Sequence, residues 1–258
     1  MIAILVAVDQ ELNPILHRAE TEHIVRQQHL DFHEGTLAGQ PVALLALGAG
    51  KDCARIAAEL TIRCYRPDLI ISAGFGGGLQ STVQDGDIVV GTEVLDLCED
   101  SGSEVQCRST YKLSPHTEVS VDTAGMRIHF GKILTTDEIV TKGSHKKRLG
   151  RATGAFAVDM ETSAVAAVAT AHHVDMLAVR CITDNDHENL PEEFNDFFIV
   201  GRLKRRRVLS ACARRPHLIL DLARLGLRAR HAGKNLATFL HTALPLLRLP
   251  AATMRVLS

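Results

Sequence analysis

The sequence contains no tryptophan and two tyrosines, and aromatic residues make up only 4% of it. Proteins that stack sugars or single-stranded bases need several aromatic side chains, so the composition argues against both classes. None of the six cysteines forms a C-x-x-C pair or lies beside a spaced histidine pair, which argues against a structural zinc site. Because no run of eighteen apolar residues occurs, no membrane-spanning helix is expected.

Charge is distributed unevenly along the chain, although the net charge is only −1. Residues 201–258 hold thirteen Lys or Arg and one acid, whereas residues 1–200 hold sixteen basic and twenty-nine acidic residues. This asymmetry predicts an acidic domain over 1–200 and a basic extension over 201–258. The apolar run 2–8 meets Asp9 without a preceding basic region. The missing basic region favours a first strand over a signal peptide. The protein is therefore expected to be cytoplasmic, with reduced thiols.

Apolar runs of strand length alternate with helical patterns through residues 1–200. Strands that are apolar on both faces are predicted over 2–8, 68–73 and 174–183. Helices are predicted over 51–65, 141–152 and 161–173. A hairpin is predicted over 31–47, and the polar stretch 99–124 is interpreted as a loop with one short helix. Together these patterns predict one three-layer α/β/α domain with a mixed central sheet.

The C-terminal extension has a helical pattern of its own. Apolar residues recur every three or four positions from Leu218 to Leu247, whereas Arg224 and Arg228 fall on the other side. The pattern predicts a long basic amphipathic helix that begins near Pro216. Two interpretations stay open: the stripe packs on the protein's own body or a second copy, or it touches the inner face of a membrane peripherally. A nucleic-acid partner is not expected.

Acidic residues follow the predicted strands at three places. Glu11 comes just after the first strand, Glu161 follows a short strand over 155–158, and Asp184 ends the strand that contains Arg180. In open α/β sheets, ligands bind outside the carboxyl ends of the strands, so these acids are expected to converge on one face. Taken singly, Glu161 is also placed to cap a helix, and Glu11 and Asp184 could be solvated surface acids.

A glycine-rich stretch, Gly-Phe-Gly-Gly-Gly over 74–78, follows another predicted strand. Since position 79 is Leu, the stretch lacks the G-x-G-x-x-G spacing of a dinucleotide site, and no cofactor is expected. It is either a tight turn or a place where a polar ligand approaches the backbone. The neighbours His172 and His173 would point to different faces of a helix, and no metal is expected.

Five stretches of the sequence resemble the nucleoside phosphorylase/nucleosidase superfamily of the purine type. They run in order through 7–12, 68–79, 86–90, 157–166 and 179–184. The Met160-Glu161 pair and the block from Arg180 to Asp184 are fairly specific. The chain looks closest to the 5′-methylthioadenosine/S-adenosylhomocysteine nucleosidases. The resemblance implies a homodimer or larger oligomer with a single α/β/α domain, which cleaves the N-ribosidic bond of a purine nucleoside and releases adenine.

By position, the resemblance also implies a role for individual residues. Glu11 matches the base that activates water, and Asp184 matches the acid that protonates the leaving purine. Glu161 matches the acid that binds the ribose hydroxyls, and Met160 matches the side chain packed against the sugar. Further substrate contacts are expected from Phe75, Gly76, Ile139, Val140 and Arg180. Carboxylates near the sugar would stabilise the positive charge that develops on it.

Two features depart from the family's usual pattern. Phe75 stands where members usually carry a serine near the nucleophile. The alternative that the protein binds a nucleoside but has lost catalysis therefore stays open. The Arg-rich extension resembles that of the hopanoid-associated phosphorylases, which act on adenosylhopane. Because of this resemblance, phosphorolysis stays open as an alternative reaction. The Gly-Asp-Pro-x-Arg loop of purine phosphorylases is absent, and Glu11 would repel an anion there. Hydrolysis is therefore the favoured reaction.

Overall fold

A ten-stranded mixed sheet carries helices on both faces in a computed structural model of the chain. The structure describes residues 1–100, 105–113, 126–191, 194–199, 202–203, 215 and 218–247. The strands of the sheet are β1 Ile2–Val6, β2 Ala19–Gln27, β3 Leu30–Leu37, β4 Gln40–Ala46, β5 Leu69–Gly78, β6 Ile88–Asp100, β7 Val105–Lys112, β8 Ile128–Thr135, β9 Ala155–Asp159 and β10 Asp175–Asp184. A separate two-stranded pair is formed by β11 Phe198–Ile199 and β12 Arg202–Leu203.

The helices alternate with these strands as the sequence predicts. They are α1 Asp9–Leu16, α2 Lys51–Tyr65, α3 Gly143–Thr153, α4 Thr162–Ala171, the short α5 Phe194–Phe197 and α6 Leu218–Ala243, and a 3-10 turn follows at Leu244–Leu246. On one face of the sheet, Leu12 of α1 and Leu236 of α6 belong to a shared apolar core. On the other face, Ala58 of α2 and Val165 of α4 do the same. This arrangement confirms the three-layer fold with a mixed sheet.

Five strands of the sheet close into a ring, because β10 pairs with both β5 and β6. The ring runs from β10 through β6, β8 and β9 to β5, and back to β10. β5 and β10 are parallel, whereas β9 pairs with the end of β5 in the antiparallel sense, Gly77 opposite Val158. The last residues of β9 therefore lie beside the last residues of β5, where β10 also ends with Asp184 opposite Gly77, and the carboxyl ends of three strands meet.

Three regions differ from the prediction. The stretch 99–124 is not a loop with a short helix where it is described: β6 continues to Asp100, and β7 pairs with it over 105–112, while 101–104 and 114–125 lie outside the described residues. The unpredicted β2 lies at the edge of the sheet with mostly exposed side chains, so it lacks the apolar pattern that reveals a strand. The glycines of 74–78 continue β5 and do not form a turn.

Helix α6 packs into the core along its second half, and two leucines of its first half are exposed. Leu236 and Leu240 are at most 1% exposed and pack in the core, whereas Leu220 and Leu227 are each 64% exposed. A side chain at Gly233 would lie 2.9 Å from Pro14 Cγ, so glycine lets α6 approach α1 closely. Helix α6 thus packs against α1 and contributes to the apolar core on that face of the sheet.

Two further observations concern the same segment. Pro216, at which the helix is predicted to begin, lies outside the described residues, as do residues 204–214. None of the described helices has the length and apolar character that crossing a membrane requires.

Candidate active site

A cavity of about 230 Å³ lies where the ends of β5, β9 and β10 meet. Its walls include these residues singled out from the sequence: Glu11, Phe75, Gly76, Ile139, Val140, Met160, Glu161 and Asp184. Arg180 is not among the lining residues and is buried behind Asp159, which does line the cavity. Acids that are far apart in the sequence thus face one common space.

Glu11 is held by backbone N–H groups from two elements. Its Oε2 accepts hydrogen bonds from Ala7 N at 2.7 Å and Val8 N at 3.1 Å, because a glutamate in the first turn of a helix can reach back to the residues before it. Its Oε1 accepts from Phe75 N at 2.6 Å. A side chain at Gly74 would lie 2.9 Å from Oε1, so glycine permits this approach. Burial raises the pKa of Glu11, although the three N–H donors oppose the shift.

Glu161 lies at the start of α4 and faces the loop after β4. It accepts a hydrogen bond from Gly50 N at 2.6 Å, and Gly50 has a φ of +94°, which a residue with a side chain rarely adopts. Burial first, and then the neighbouring charge of Asp159, raise the pKa of Glu161 to about 8. The carboxyl group is therefore mostly protonated at neutral pH in the folded protein, and its carbonyl oxygen remains a hydrogen-bond acceptor.

This raised pKa predicts how stability depends on pH. Between pH 4.5 and about 8, an unfolded chain has lost the Glu161 proton while the folded protein still holds it. The free energy of unfolding should therefore fall as pH rises through this window, and thermal unfolding from pH 5 to 8 should show a decreasing melting temperature. Glu161→Gln should flatten the curve, and Glu22→Gln, an exposed control, should not. An unchanged slope in Glu161→Gln would contradict the assignment.

Arg180 and Asp159 form a buried ion pair beneath the cavity. Arg180 donates to Asp159 Oδ2 from Nε at 2.9 Å and from a terminal nitrogen at 2.6 Å. Its remaining donors reach the carbonyl and hydroxyl of Ser72 at 2.8 and 2.9 Å and the hydroxyl of Thr162 at 2.5 Å. The guanidinium is fully occupied by the protein, so it orients Asp159 and is not placed to contact a ligand.

Asp184 has a buried cation as its partner. Lys146 of α3 donates from Nζ to Asp184 Oδ2, and the lysine is fully buried. Thr183 donates its hydroxyl to Asp184 Oδ1 at 2.8 Å. Lys146 is not predictable as a site residue from the sequence, because a lysine within a basic helical pattern is usually exposed.

Other lining residues were also missed. They are Ala7, Val8, Ala49, Gly77, Thr136, Glu138, Val158, Asp159, Thr183, Leu190, Phe194 and Leu225. A signal existed for Ala49, since the glycine-rich Gly48-Ala49-Gly50 follows the second strand of the predicted hairpin. No signal marked Leu225, which reaches the cavity because α6 packs over it. Asn195 was missed as well; its side chain bonds both backbone groups of Ile139, at 2.8 and 3.2 Å.

The cavity is acidic and apolar. Among the described residues that line it, five are acids and none is Lys, Arg or His. The nearby cations Arg180 and Lys146 are already bonded to carboxylates. Within the described residues, no group of three His, Cys, Asp or Glu could hold a metal ion. Such a site suits a neutral or cationic group better than an anion.

Several known proteins are similar to this chain in sequence. The family model described as "Phosphorylase superfamily" matches residues 1–214. The 5′-methylthioadenosine/S-adenosylhomocysteine nucleosidase of Actinobacillus succinogenes is 30% identical over 217 residues, 78% of this chain and 92% of that protein. The Bacillus subtilis protein of the same name is 24% identical over 84% of this chain and 99% of its own length.

Solved structures with the same fold cover nearly the whole chain. The 5′-methylthioadenosine/S-adenosylhomocysteine nucleosidase from Colwellia psychrerythraea, in complex with adenine, matches with a TM-score of 0.74 at 19% identity, over 95% of each chain. The futalosine hydrolase of Helicobacter pylori matches with a TM-score of 0.72 at 19% identity, over 95% of this chain and 97% of its own. The fold and the sequence matches confirm the resemblance that the Met160-Glu161 and Arg180-to-Asp184 blocks indicate. The chain belongs to the phosphorylase superfamily, where it is similar to the 5′-methylthioadenosine/S-adenosylhomocysteine nucleosidases.

Proposed function

We propose that this protein hydrolyses the N-ribosidic bond of a 5′-substituted adenosine, with 5′-methylthioadenosine as the model substrate, and releases adenine. The observation that carries the proposal is the convergence of Glu11, Glu161 and Asp184 on one cavity whose described lining has no cationic side chain. The names of the relatives support the same reaction class.

Each acidic side chain fits a different step. Glu161 accepts hydrogen bonds from the ribose hydroxyls and, with Met160 against the sugar, fixes the ring. Asp184 provides a proton to the purine as the bond to the ribose breaks. The sugar then carries positive charge, which the surrounding carboxylates stabilise. Glu11 removes a proton from the water that attacks the anomeric carbon.

Water suits the nucleophile position better than phosphate does. A phosphate dianion beside Glu11 would meet a carboxylate, and no described cation of the lining would offset the repulsion. Glu11 also holds Ala7 N, Val8 N and Phe75 N, backbone donors that would otherwise be free to bind an anion. These contacts support hydrolysis.

Adenine release tests the proposal. In phosphate-free buffer, the protein should convert 5′-methylthioadenosine to adenine, followed by ultraviolet absorbance or chromatography, and should leave a pyrimidine nucleoside intact. A protein that binds 5′-methylthioadenosine but releases no adenine would support the alternative of a nucleoside-binding protein without catalysis.

A second candidate substrate carries a larger apolar 5′-substituent, as the resemblance to hopanoid-associated phosphorylases implies. It is favoured by the apolar wall that Leu190, Phe194 and Leu225 contribute to the cavity. Comparing adenosines with 5′-methylthio and long 5′-alkylthio groups separates the two. A higher kcat/KM for the long chain would favour the second candidate.

We also propose that the first half of α6 contacts an anionic membrane surface. Leu220 and Leu227 are exposed together with Arg224 and Arg230, which supports an amphipathic contact. The protein should co-sediment with vesicles containing anionic lipid at low salt and dissociate at high salt. Leu227→Asp should weaken this binding, whereas Ile56→Asp, an exposed residue of α2, should not. A protein that ignores these vesicles at low salt would contradict the proposal.

A further inference from the structure

The ammonium group of Lys146 has no exposure to solvent and lies directly behind the cavity. It donates to Asp184 Oδ2, to the carbonyl of Asn185 at 3.2 Å and to the carbonyl of Glu188 at 3.3 Å. A protonated lysine has three N–H groups, so these three acceptors satisfy it completely. The site is therefore built for the charged form of this lysine.

The local structure explains why Lys146 reaches Asp184. Gly143, one turn earlier in α3, packs against the loop after β10, and its N–H donates to the Asn189 side chain at 2.9 Å. On the other side, a side chain at Gly77 would lie 3.2 Å from Asp184 Oδ2. The carboxylate of Asp184 is thus held between a buried ammonium and the cavity that it lines.

Other charges surround this pair. Arg228 of α6 binds Glu188 with two hydrogen bonds, at 2.6 and 2.7 Å, and lies 3.2 Å from Asp85. Burial, and next the charge of Glu188, raise the pKa of Asp85 to about 6. Glu188, whose carbonyl faces Lys146, has a lowered pKa; burial acts to raise it, but the contact with Arg228 outweighs burial. Arg228 thus forms ion pairs with Glu188 and Asp85, and the carboxylate that pairs with Lys146 is that of Asp184.

We propose that Lys146 is a positioning residue for the nucleosidase reaction: it keeps Asp184 ionised in the empty site and supplies the proton that Asp184 passes to the purine. The inference rests on the proposed function and adds a residue that the sequence analysis did not assign to it.

Lys146 Nζ gives a proton to Asp184, and Asp184 passes it to a ring nitrogen of the purine. The bond between the purine nitrogen and the anomeric carbon breaks, and its electron pair moves to the purine. Asp184 is then ionised again, and Lys146 is a neutral amine. Water adds to the anomeric carbon and gives one proton to Glu11. After the products leave, that proton returns to solvent, Lys146 regains one, and no oxidant or further reactant is needed.

Removing the lysine tests this role by kinetics. Lys146→Met should lower kcat at neutral pH by about a hundredfold, the usual contribution of a positioned proton donor, with KM for 5′-methylthioadenosine changed less than about threefold. Its residual rate should rise as pH falls from 8 to 5.5, because Asp184 must then take its proton from solvent. Lys147→Met, an exposed control in the same helix, should behave like the wild type. The double variant Lys146→Met/Asp184→Asn should be no slower than Asp184→Asn alone.

Infrared difference spectra test the ionisation without depending on activity. Subtracting Asp184→Asn from the wild type should show a carboxylate band for Asp184 and no protonated-carboxyl band at pH 7. Subtracting the double variant from Lys146→Met should show a protonated band that grows as pH falls from 8 to 5.5, in step with the residual rate.

Two results would overturn the inference: a wild-type kcat in a folded Lys146→Met, or a protonated Asp184 band in the wild type. A loss of rate that is equal at every pH would reduce Lys146 to a structural role. A wild type that releases no adenine would overturn the proposed function and the proton delivery with it, while the infrared bands would still decide whether Lys146 keeps Asp184 ionised.

Discussion

Glu11→Gln should release adenine about a thousandfold more slowly than the wild type, because the variant cannot take a proton from water. Three of the carboxylate's lone-pair directions accept backbone N–H groups, two at Oε2 and one at Oε1, which leaves one on Oε1 for a water molecule. An amide nitrogen at this position would meet an N–H donor instead of an acceptor. The measurement is kcat for adenine release, with circular dichroism to establish folding.

Asp9→Asn is the matched control for Glu11→Gln. Asp9 lies on the same helix, is exposed and does not line the cavity, so this variant should keep its activity. Since burial raises the pKa of Glu11 and the base must be ionised, the wild-type kcat/KM should decline on the acid side at a pH above the ordinary glutamate value. Near-normal turnover in Glu11→Gln would show that another group activates the nucleophile.

Asp184→Asn should lose activity and stability together. We expect kcat to fall by about a hundredfold to ten-thousandfold, because the leaving purine loses its proton donor. The substitution also leaves the Lys146 ammonium buried without its counter-charge, and breaking a buried pair in this way costs about 3–5 kcal/mol of unfolding free energy. Denaturant unfolding and adenine release measure the two effects separately.

A second substitution distinguishes the two effects of Asp184→Asn. Adding Lys146→Met removes the unpaired charge, so the double variant should recover part of the lost stability while its turnover stays low. Asp186→Asn serves as the control, because Asp186 is a buried neighbour that pairs with His187 and does not line the cavity. If the double variant regained turnover, Asp184 would be a structural partner of the lysine and not the acid.

The sequence predicts the fold where strands are apolar on both faces. The runs that become β1, β5 and β10 are buried along their whole length or nearly so, and their lengths separate them from helices. The edge strands β2 and β7 are mostly exposed, and an exposed strand has no apolar period to reveal it. The ring closure through β10 is also absent from the pattern, because it depends on pairings between strands distant in the sequence.

The sequence predicts those residues of the site that lie at or just after the ends of strands. Glu11, Glu161 and Asp184 follow such ends and face one cavity. Arg180 shares the block with Asp184, but its side chain points to Asp159 and Ser72. Positions four apart would share a face of a regular strand, and the register of β10 against β5 shifts between Ile182 and Asp184. Lys146 and Leu225 come from helices whose packing decides their role, and their local sequence favours a solvated lysine and an ordinary apolar stripe.

The amphipathic helix α6 shows how one pattern can serve two environments. The stripe from Leu218 to Leu247 has a single period and packs in the core, most completely in its second half. Leu220 and Leu227 lie off the stripe and are exposed to solvent. Arg228, predicted on the basic face, is bonded to Glu188 and Asp85 of the domain. The helical period of the apolar residues predicts which residues share a face of the helix. The tertiary fold determines whether that face packs against the core or is exposed to solvent.

The nucleophile is the most direct test of the central claim that this acidic site hydrolyses an adenosyl nucleoside. The reaction of 5′-methylthioadenosine should be followed by phosphorus NMR in phosphate buffer, with adenine quantified in parallel and in phosphate-free buffer. Our account predicts equal rates of adenine release in both buffers and no phosphorylated sugar. A sugar 1-phosphate that forms in step with adenine, together with a rate that depends on phosphate, would contradict it.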